Sequence, residues 1–376
     1  MAKKKKKKQQ SGSNILWWGL VLAAALFSFF VRMPLTPESV LSSSVAVLSV
    51  MVFFILGRAV LYDEKKAVFA AVVLLTAHGM LLMGRNSSAV LSMAAAAAAL
   101  AGGLFFILSF SDAKSGGWIM TLGGLLSGAA FCLGGFSLLS GVTLPLLLAY
   151  LLIWRPSLKG RVWQFILSIV AGAAAVLVYA MWLHWFDSLS VDKILSMWKF
   201  APSSLSWSSF ASIGEWLGIW TVPAIVVLFA PLYSAPERGS VEYRFLCVWT
   251  LLSLAGALFF RYPAALLFPC ALMTGYVAMS WMDAPRKKSG DETSIAIIVL
   301  ALAVAAAVAY ISWRTWQVHS ASMSVTSLTI LLISAAAVCV YVLASAFRRG
   351  SADIVAGAGL FFMIYEILVR PSLWMI

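Results

Sequence analysis

The residues able to do chemistry in this chain are few and scattered. Glu38, Asp187, Asp192, Glu215 and Glu366 are carboxylates that stand apart from the basic loops. A carboxylate so placed can orient or deprotonate a hydroxyl acceptor. Arg85 and Arg261 carry guanidinium forks, which suit phosphate because they donate two parallel hydrogen bonds. Tyr262 follows Arg261 directly and adds a phenolic donor. His184 and His319 are two further groups that can move a proton. The four cysteines, Cys132, Cys247, Cys270 and Cys339, fall in apolar runs with no CxxC and no Cys/His cluster. That pattern argues against a disulfide framework and a structural zinc. The three histidines are far apart and form no H-E-x-x-H motif, and there is no Gly-rich phosphate loop or nucleotide fingerprint.

The elements that must position these residues are membrane helices. The chain has 376 residues, of which 62% are hydrophobic and 11% charged. A soluble domain runs about 45–50% apolar and about 25% charged. Thirteen apolar runs recur, from Ile15–Val31 to Ile354–Val369. A helix needs roughly 20 such residues to cross a bilayer. The runs are unbroken rather than alternating, so barrel strands are not expected. The predicted fold class is all-α, a polytopic helical bundle of about 13 spans. The least distinct break is Gly134–Ser137, between Trp118–Leu133 and Leu138–Trp154.

Threading the spans alternately puts 20 of the 27 Lys and Arg on one side, beginning with the run Lys3–Lys8. The other seven are Arg32, Arg85, Lys193, Lys199, Arg261, Arg314 and Arg370. This is the positive-inside pattern. It predicts a multi-pass plasma (inner) membrane protein with its N-terminus cytoplasmic and its C-terminus extracytoplasmic. The net charge of +13 is thereby assigned to topology and to membrane lipids, not to nucleic acid. The lysine run either enforces orientation or lies on anionic headgroups, at ~1 kcal/mol per residue. The only A-x-A match in the first span, Ala23–Ala25, lies mid-span, so that span reads as a retained helix and not a cleaved signal.

Most connections are short. The exception is the 32-residue stretch His184–Glu215, which faces outward on this topology. Val191, Ile194, Leu195 and Trp198 make an apolar stripe at helical spacing. Ser190 suits its N-cap, Asp192 its first turn, and Pro202 its stop. A short helix in the membrane interface is expected, with its tryptophans serving as an aromatic belt or as a lid over a lipid-facing cavity. The organisation predicted is a Lys-rich tail (1–14), a membrane core (15–282) containing the outer loop 184–215, and a three-helix extension (283–376). Small-residue runs such as Ala94–Ala99 predict close helix packing. A transporter is disfavoured, because the span centres are nearly free of charge and no clear inverted repeat is present.

Three stretches carry a family likeness. Tyr62–Leu100 has a short acidic-basic turn, an Ala/Leu helix, an outer GR turn and a second small-residue helix. Gly135–Trp154 ends GVTLPLLLAYLLIW, and Phe259–Trp281 reads FFRYPAALLFPCALMTGYVAMSW. In this order they resemble the GT-C fold glycosyltransferases that use lipid-linked sugars, the aminoarabinose transferases and protein O-mannosyltransferases in particular. The resemblance covers about the first 280 residues and places Arg261, Tyr262 and Pro269 at matching positions. It implies transfer of a sugar from a polyprenyl-phosphate donor at the extracytoplasmic face. It also implies a catalytic carboxylate at Glu38, with Asp187 as the second choice, and substrate binding by Arg85, Arg261 and Tyr262. No cofactor or metal ligand is assigned.

The departures define the rival. The family's long acidic first outer loop is here about eight residues, Arg32–Ser39, with Glu38 its one carboxylate. The GR turn, Gly84-Arg85-Asn86-Ser87-Ser88, has no acid, and the large soluble C-terminal domain of many relatives is not expected here. A minimal or degenerate member fits, one that transfers a sugar or else only binds a lipid-linked glycan and scaffolds a membrane-protein partner. Structural roles compete for the same residues. Glu38 suits a helix start, Glu366 can pair with Arg370 at i,i+4, and Arg85 and Arg261 can snorkel to the interface.

Overall fold

The computed structural model describes the chain except for residues 1, 31–36, 78, 81–82, 84–89, 112–115, 157–160, 194–197, 199–206, 231–238, 261, 284–290, 320–322, 349–350 and 369–376. The side chains of some helical residues, Glu215, His319 and Glu366 among them, also lie outside the described set. Among the described residues every regular element is helical. In chain order these are α1 (Ala2–Phe30), α2 (Pro37–Leu61), α3 (Glu64–Leu75), α4 (Val90–Ser111) and α5 (Gly116–Leu138). A π-helical segment, Leu139–Thr143, leads into α6 (Leu144–Trp154), followed by α7 (Val162–Trp185) and α8 (Trp207–Leu217). Then come α9 (Thr221–Leu228), α10 (Val241–Phe260), a 3-10 turn (Pro263–Leu266) and α11 (Leu267–Asp283). The chain closes with α12 (Asp291–His319), α13 (Val325–Phe347) and α14 (Ser351–Leu368).

The helix starts follow from local chemistry. Asp63 caps α3, its Oδ1 accepting from the Lys65 and Lys66 N–H groups at 2.9 and 3.3 Å. Ser324 caps α13 by accepting from the Ser327 N–H at 3.1 Å. Each cap satisfies donors that a helix start leaves open. Helix α11 is the hub: α3, α9, α10 and α14 pack around it. The small residues of its sequence let neighbours close in, and a methyl added at Gly275 would overlap the Ala70 backbone of α3. On one flank α4, α5 and α7 stack in turn, α5 and α7 meeting backbone to backbone. There a Cβ at Gly128 would stand 2.5 Å from the Gly172 carbonyl.

Eight helices among the described residues are long and apolar enough to cross a membrane, and Leu16–Phe30 and Gly141–Trp154 are shorter apolar helices. Among the described residues, breaks fall within the third, sixth and eighth of the thirteen expected spans. The third stops at Thr76, whose hydroxyl donates back to the Val72 carbonyl at 2.7 Å. The sixth begins as the π segment, because Gly135 (φ 65°) kinks the chain in a conformation that favours glycine and α5 runs through the expected break to Leu138. The eighth is assembled from the end of α8, the 3-10 turn Gly218–Trp220 and α9.

Several cations assigned to topology have specific partners. Arg58 pairs with Glu64 at 2.7 Å and lies over the Trp18 ring. The Lys66 ammonium stands 4.2 Å from the Tyr276 ring, and the Tyr276 hydroxyl is 2.6 Å from Ser240 Oγ. Arg161 donates to the Ser109 carbonyl and covers Phe110. These contacts gather the helix ends into one basic end of the bundle.

Candidate functional site

The site is best built from the end opposite those cations. Glu38 is exposed in the first turn of α2. One turn further on, the Ser42 hydroxyl donates to the Met83 carbonyl at 3.4 Å, tying α2 to the segment that leads into the GR turn. The same segment meets α8. A side chain at Gly79 would overlap the Trp216 ring, so only glycine admits that ring. Trp220 donates from Nε1 to the Thr76 hydroxyl at 3.0 Å, a buried bond across 144 residues of sequence. Thr221 Oγ1 donates to the Gly214 and Gly218 carbonyls at 2.9 and 2.8 Å and holds the joint between α8 and α9.

Helix α8 in turn packs on the 3-10 turn Pro263–Leu266. Tyr262 starts that turn, its carbonyl accepting from the Ala265 N–H at 3.1 Å. The Tyr262 ring rests on the π segment, 3.6 Å from where a Gly141 Cβ would stand. Its hydroxyl is buried and has no hydrogen-bond partner. Burial pushes that phenol up from its ordinary range, so it stays protonated and able to donate. Thr143, at the end of the π segment, is likewise buried with an unpartnered Oγ1. Trp249 Nε1 and Ser253 Oγ, one turn apart on α10, are two more such atoms, and α10 packs against both the π segment and the 3-10 turn. Buried polar atoms usually have partners; four on adjoining elements mark a place where a ligand's polar groups would be satisfied.

The helices bearing Glu38 and Glu215, the segment Gly79–Met80 with Met83, and the turn that Tyr262 starts are thus linked in one series of contacts around this end. Arg85 and Arg261 themselves lie outside the described residues, as does the Glu215 side chain. Asp187 is placed differently. It is exposed at the end of α7, beside Ser188 (φ 53°) and a 2.9 Å contact between His184 Nδ1 and the Leu189 carbonyl. Helix α7 packs mainly on α5, away from α2 and the 3-10 turn. Asp192 lies in a helical turn, Val191–Lys193, where Ser190 Oγ accepts from the Lys193 N–H at 3.3 Å. Trp198 packs between Phe131 of α5 and Tyr179 of α7, at 5.5 and 6.4 Å between ring centres. Among the described residues no three His, Cys, Asp or Glu side chains cluster as metal ligands. Sequence reading missed Thr143 and the Thr76–Trp220 bond. The flanking Gly135, Gly141 and Pro145 were the available signal for the first; nothing local marks the second.

No protein-family profile matches the sequence, and no curated protein does either. Solved structures do match the fold. ArnT from Cupriavidus metallidurans bound to undecaprenyl phosphate superposes with a TM-score of 0.60 at 12% identity, over 96% of this chain and 79% of that one. The same enzyme in its apo state gives 0.58 at 12% identity, over 96% and 78%. The chain therefore has the GT-C fold of the aminoarabinose transferases and is a multi-pass membrane protein.

Proposed function

We propose that this chain is a membrane glycosyltransferase that moves a sugar from a polyprenyl-phosphate donor to an acceptor at the extracytoplasmic face. The observation that carries the reading is the buried, unpartnered Tyr262 hydroxyl, which directly follows Arg261 where α8, α10 and the π segment meet. Arg261 holds the donor phosphate and Arg85 adds a second cation, so that negative charge developing on the leaving phosphate is stabilised. Tyr262 donates to the same group. The acceptor oxygen bonds to the anomeric carbon as the carbon–phosphate-oxygen bond breaks, and Glu38 takes the acceptor's proton. Asp187 is the second choice for that base. The likeness to an ArnT structure holding undecaprenyl phosphate supports the donor class. The one-sided distribution of Lys and Arg supports a plasma-membrane location with the N-terminus cytoplasmic and this site outside.

A second reading is a non-catalytic protein of the same fold that binds a lipid-linked glycan or scaffolds a membrane partner. What favours it is the scarcity of carboxylates at the site: Glu38 alone in the first outer loop and none in the GR turn. The purified protein, supplied with a radiolabelled polyprenyl-phosphate sugar, separates the two. Transfer that is lost in Glu38→Gln while donor binding persists, together with binding lost in Arg261→Ala, is the expected result. Donor binding without turnover in the wild type would leave the scaffold.

A further inference from the structure

Beyond α1, the helices that begin at the basic end of the bundle start in two ways. Helix α3 begins at Glu64 behind the Asp63 cap, α10 carries Glu242 in its first turn, α12 begins at Asp291 and α14 carries Asp353. Each brings a carboxylate to its own positive end. Helices α5 and α7 bring none, and α7 is entered by Arg161, whose side chain makes no cap. A cation has the wrong sign for a helix start. These two helices also lie side by side and run the same way, Gly117 meeting Gln164, Gly124 meeting Ser168 and Gly128 meeting Gly172. Their positive ends therefore add.

The surface around these starts suits a membrane anion. A Cβ at Gly116 would stand 2.6 Å from the Ser109 carbonyl and 3.6 Å from Arg161 Nη1, so the end of α4, the start of α5 and the guanidinium meet at one point. Arg161 gives one N–H to that carbonyl, and among the described residues no acid pairs with the rest of its fork. One helical turn on, the Gln164 amide lies against Gly117, and its Oε1 is buried with no partner. The connection into α7 holds Arg155, Lys159 and Arg161 and no acid, while Asp112 and Lys114 offset each other before α5. Trp118 and Trp163, at the starts of the two helices, are 80% and 81% exposed, as tryptophans in a headgroup layer are. Beyond Trp163, Leu167 and Val170 continue one exposed apolar stripe along α7.

We propose that this place binds an anionic phospholipid with a hydroxyl-bearing headgroup, at the end of the protein remote from the proposed transfer site and independently of that reading. The phosphate lies on Arg161 and the first-turn N–H groups of α7, supplying the charge that the other helix starts carry themselves. A headgroup hydroxyl donates to Gln164 Oε1, and the acyl chains follow Trp163, Leu167 and Val170. A nucleic acid or an acidic protein offers the charge but nothing for that stripe.

The test is native mass spectrometry of the full chain in detergent, titrated with phosphatidylglycerol or with phosphatidylethanolamine of the same acyl chains. One phosphatidylglycerol is expected to bind more tightly than phosphatidylethanolamine. Val162→Glu, at a site 55% exposed, gives α7 the carboxylate it lacks and should weaken phosphatidylglycerol binding roughly tenfold. Arg161→Gln should weaken it as much. Lys65→Gln removes an exposed cation at the start of α3 and should change nothing. A thermal melt checks folding; if Arg161→Gln unfolds, Val162→Glu, which should melt no lower than the wild type, decides. Equal binding of the two lipids by the wild type, unchanged binding in Val162→Glu, or an equal loss in Lys65→Gln overturns the proposal. Displacement of the lipid by glycerol 3-phosphate at the same concentration also overturns it and makes this a site for a free phosphate.

Discussion

Helices α7 and α11 are both strongly apolar, and α7 is the more so, yet 94% of the membrane window ending in α11 is buried and only 11% of that in α7. In water that order would be reversed. In a bilayer, lipid solvates Leu and Val as well as a protein interior does, so apolarity does not sort inside from outside. What sorts them is size and polarity. Helix α11 carries Cys270, Ala271, Thr274, Gly275 and Ala278, all buried or in close contact, and lets α3 approach to backbone distance. Helix α7 presents Leu177, Val178 and Met181 to lipid. The 3-10 turn that leads into the buried helix begins at Tyr262 of the candidate site, while the peripheral helix packs mainly on α5.

Substitutions can break this contrast. Gly275→Leu in α11 drives a side chain into the Ala70 backbone and is expected to cost about 3 kcal/mol or more, whereas Leu177→Ala in α7, at a site 64% exposed, should stay within about 0.5 kcal/mol. Unfolding in detergent followed by tryptophan fluorescence compares them; equal losses would remove the distinction. A smaller effect separates two tryptophans. Trp220→Phe forfeits the buried bond to Thr76 and should cost about 1 kcal/mol, while Trp185→Phe at the exposed end of α7 should change little in the same assay.

The fold was legible where membrane physics acts on composition. Unbroken apolar runs are enough to show an all-helical, multi-pass membrane bundle, because a bilayer demands about 20 apolar residues per span. Breaks within spans were not legible. Thr76 sits in an otherwise apolar run and the π segment, LSGVT, reads as a weak glycine-marked irregularity; the incoming Trp220 and the packing of Tyr262 on Gly141 give them meaning. Arg58, Lys66 and Arg161 read as orientation signals, although each has an aromatic partner distant in sequence. At the site, Tyr262 could be named from the RYP motif. For Thr143, the flanking Gly135, Gly141 and Pro145 mark an irregular stretch but give no sign of whether its hydroxyl finds a partner.

The contrast between the two helices reduces to one claim: the start of the buried helix receives a lipid phosphate and the peripheral helix does not. Undecaprenyl phosphate affinity, measured side by side for the wild type, Tyr262→Phe and Leu177→Ala, tests it most directly. Tyr262→Phe should weaken binding roughly tenfold, as expected for a lost hydrogen bond to a charged group. Leu177→Ala should match the wild type. Because burial holds the Tyr262 phenol above its ordinary range, the wild-type affinity should stay flat from about pH 7.5 to about pH 9.5, the phenol keeping its proton throughout. Equal affinity of Tyr262→Phe and wild type for the lipid phosphate would contradict the assignment of this site.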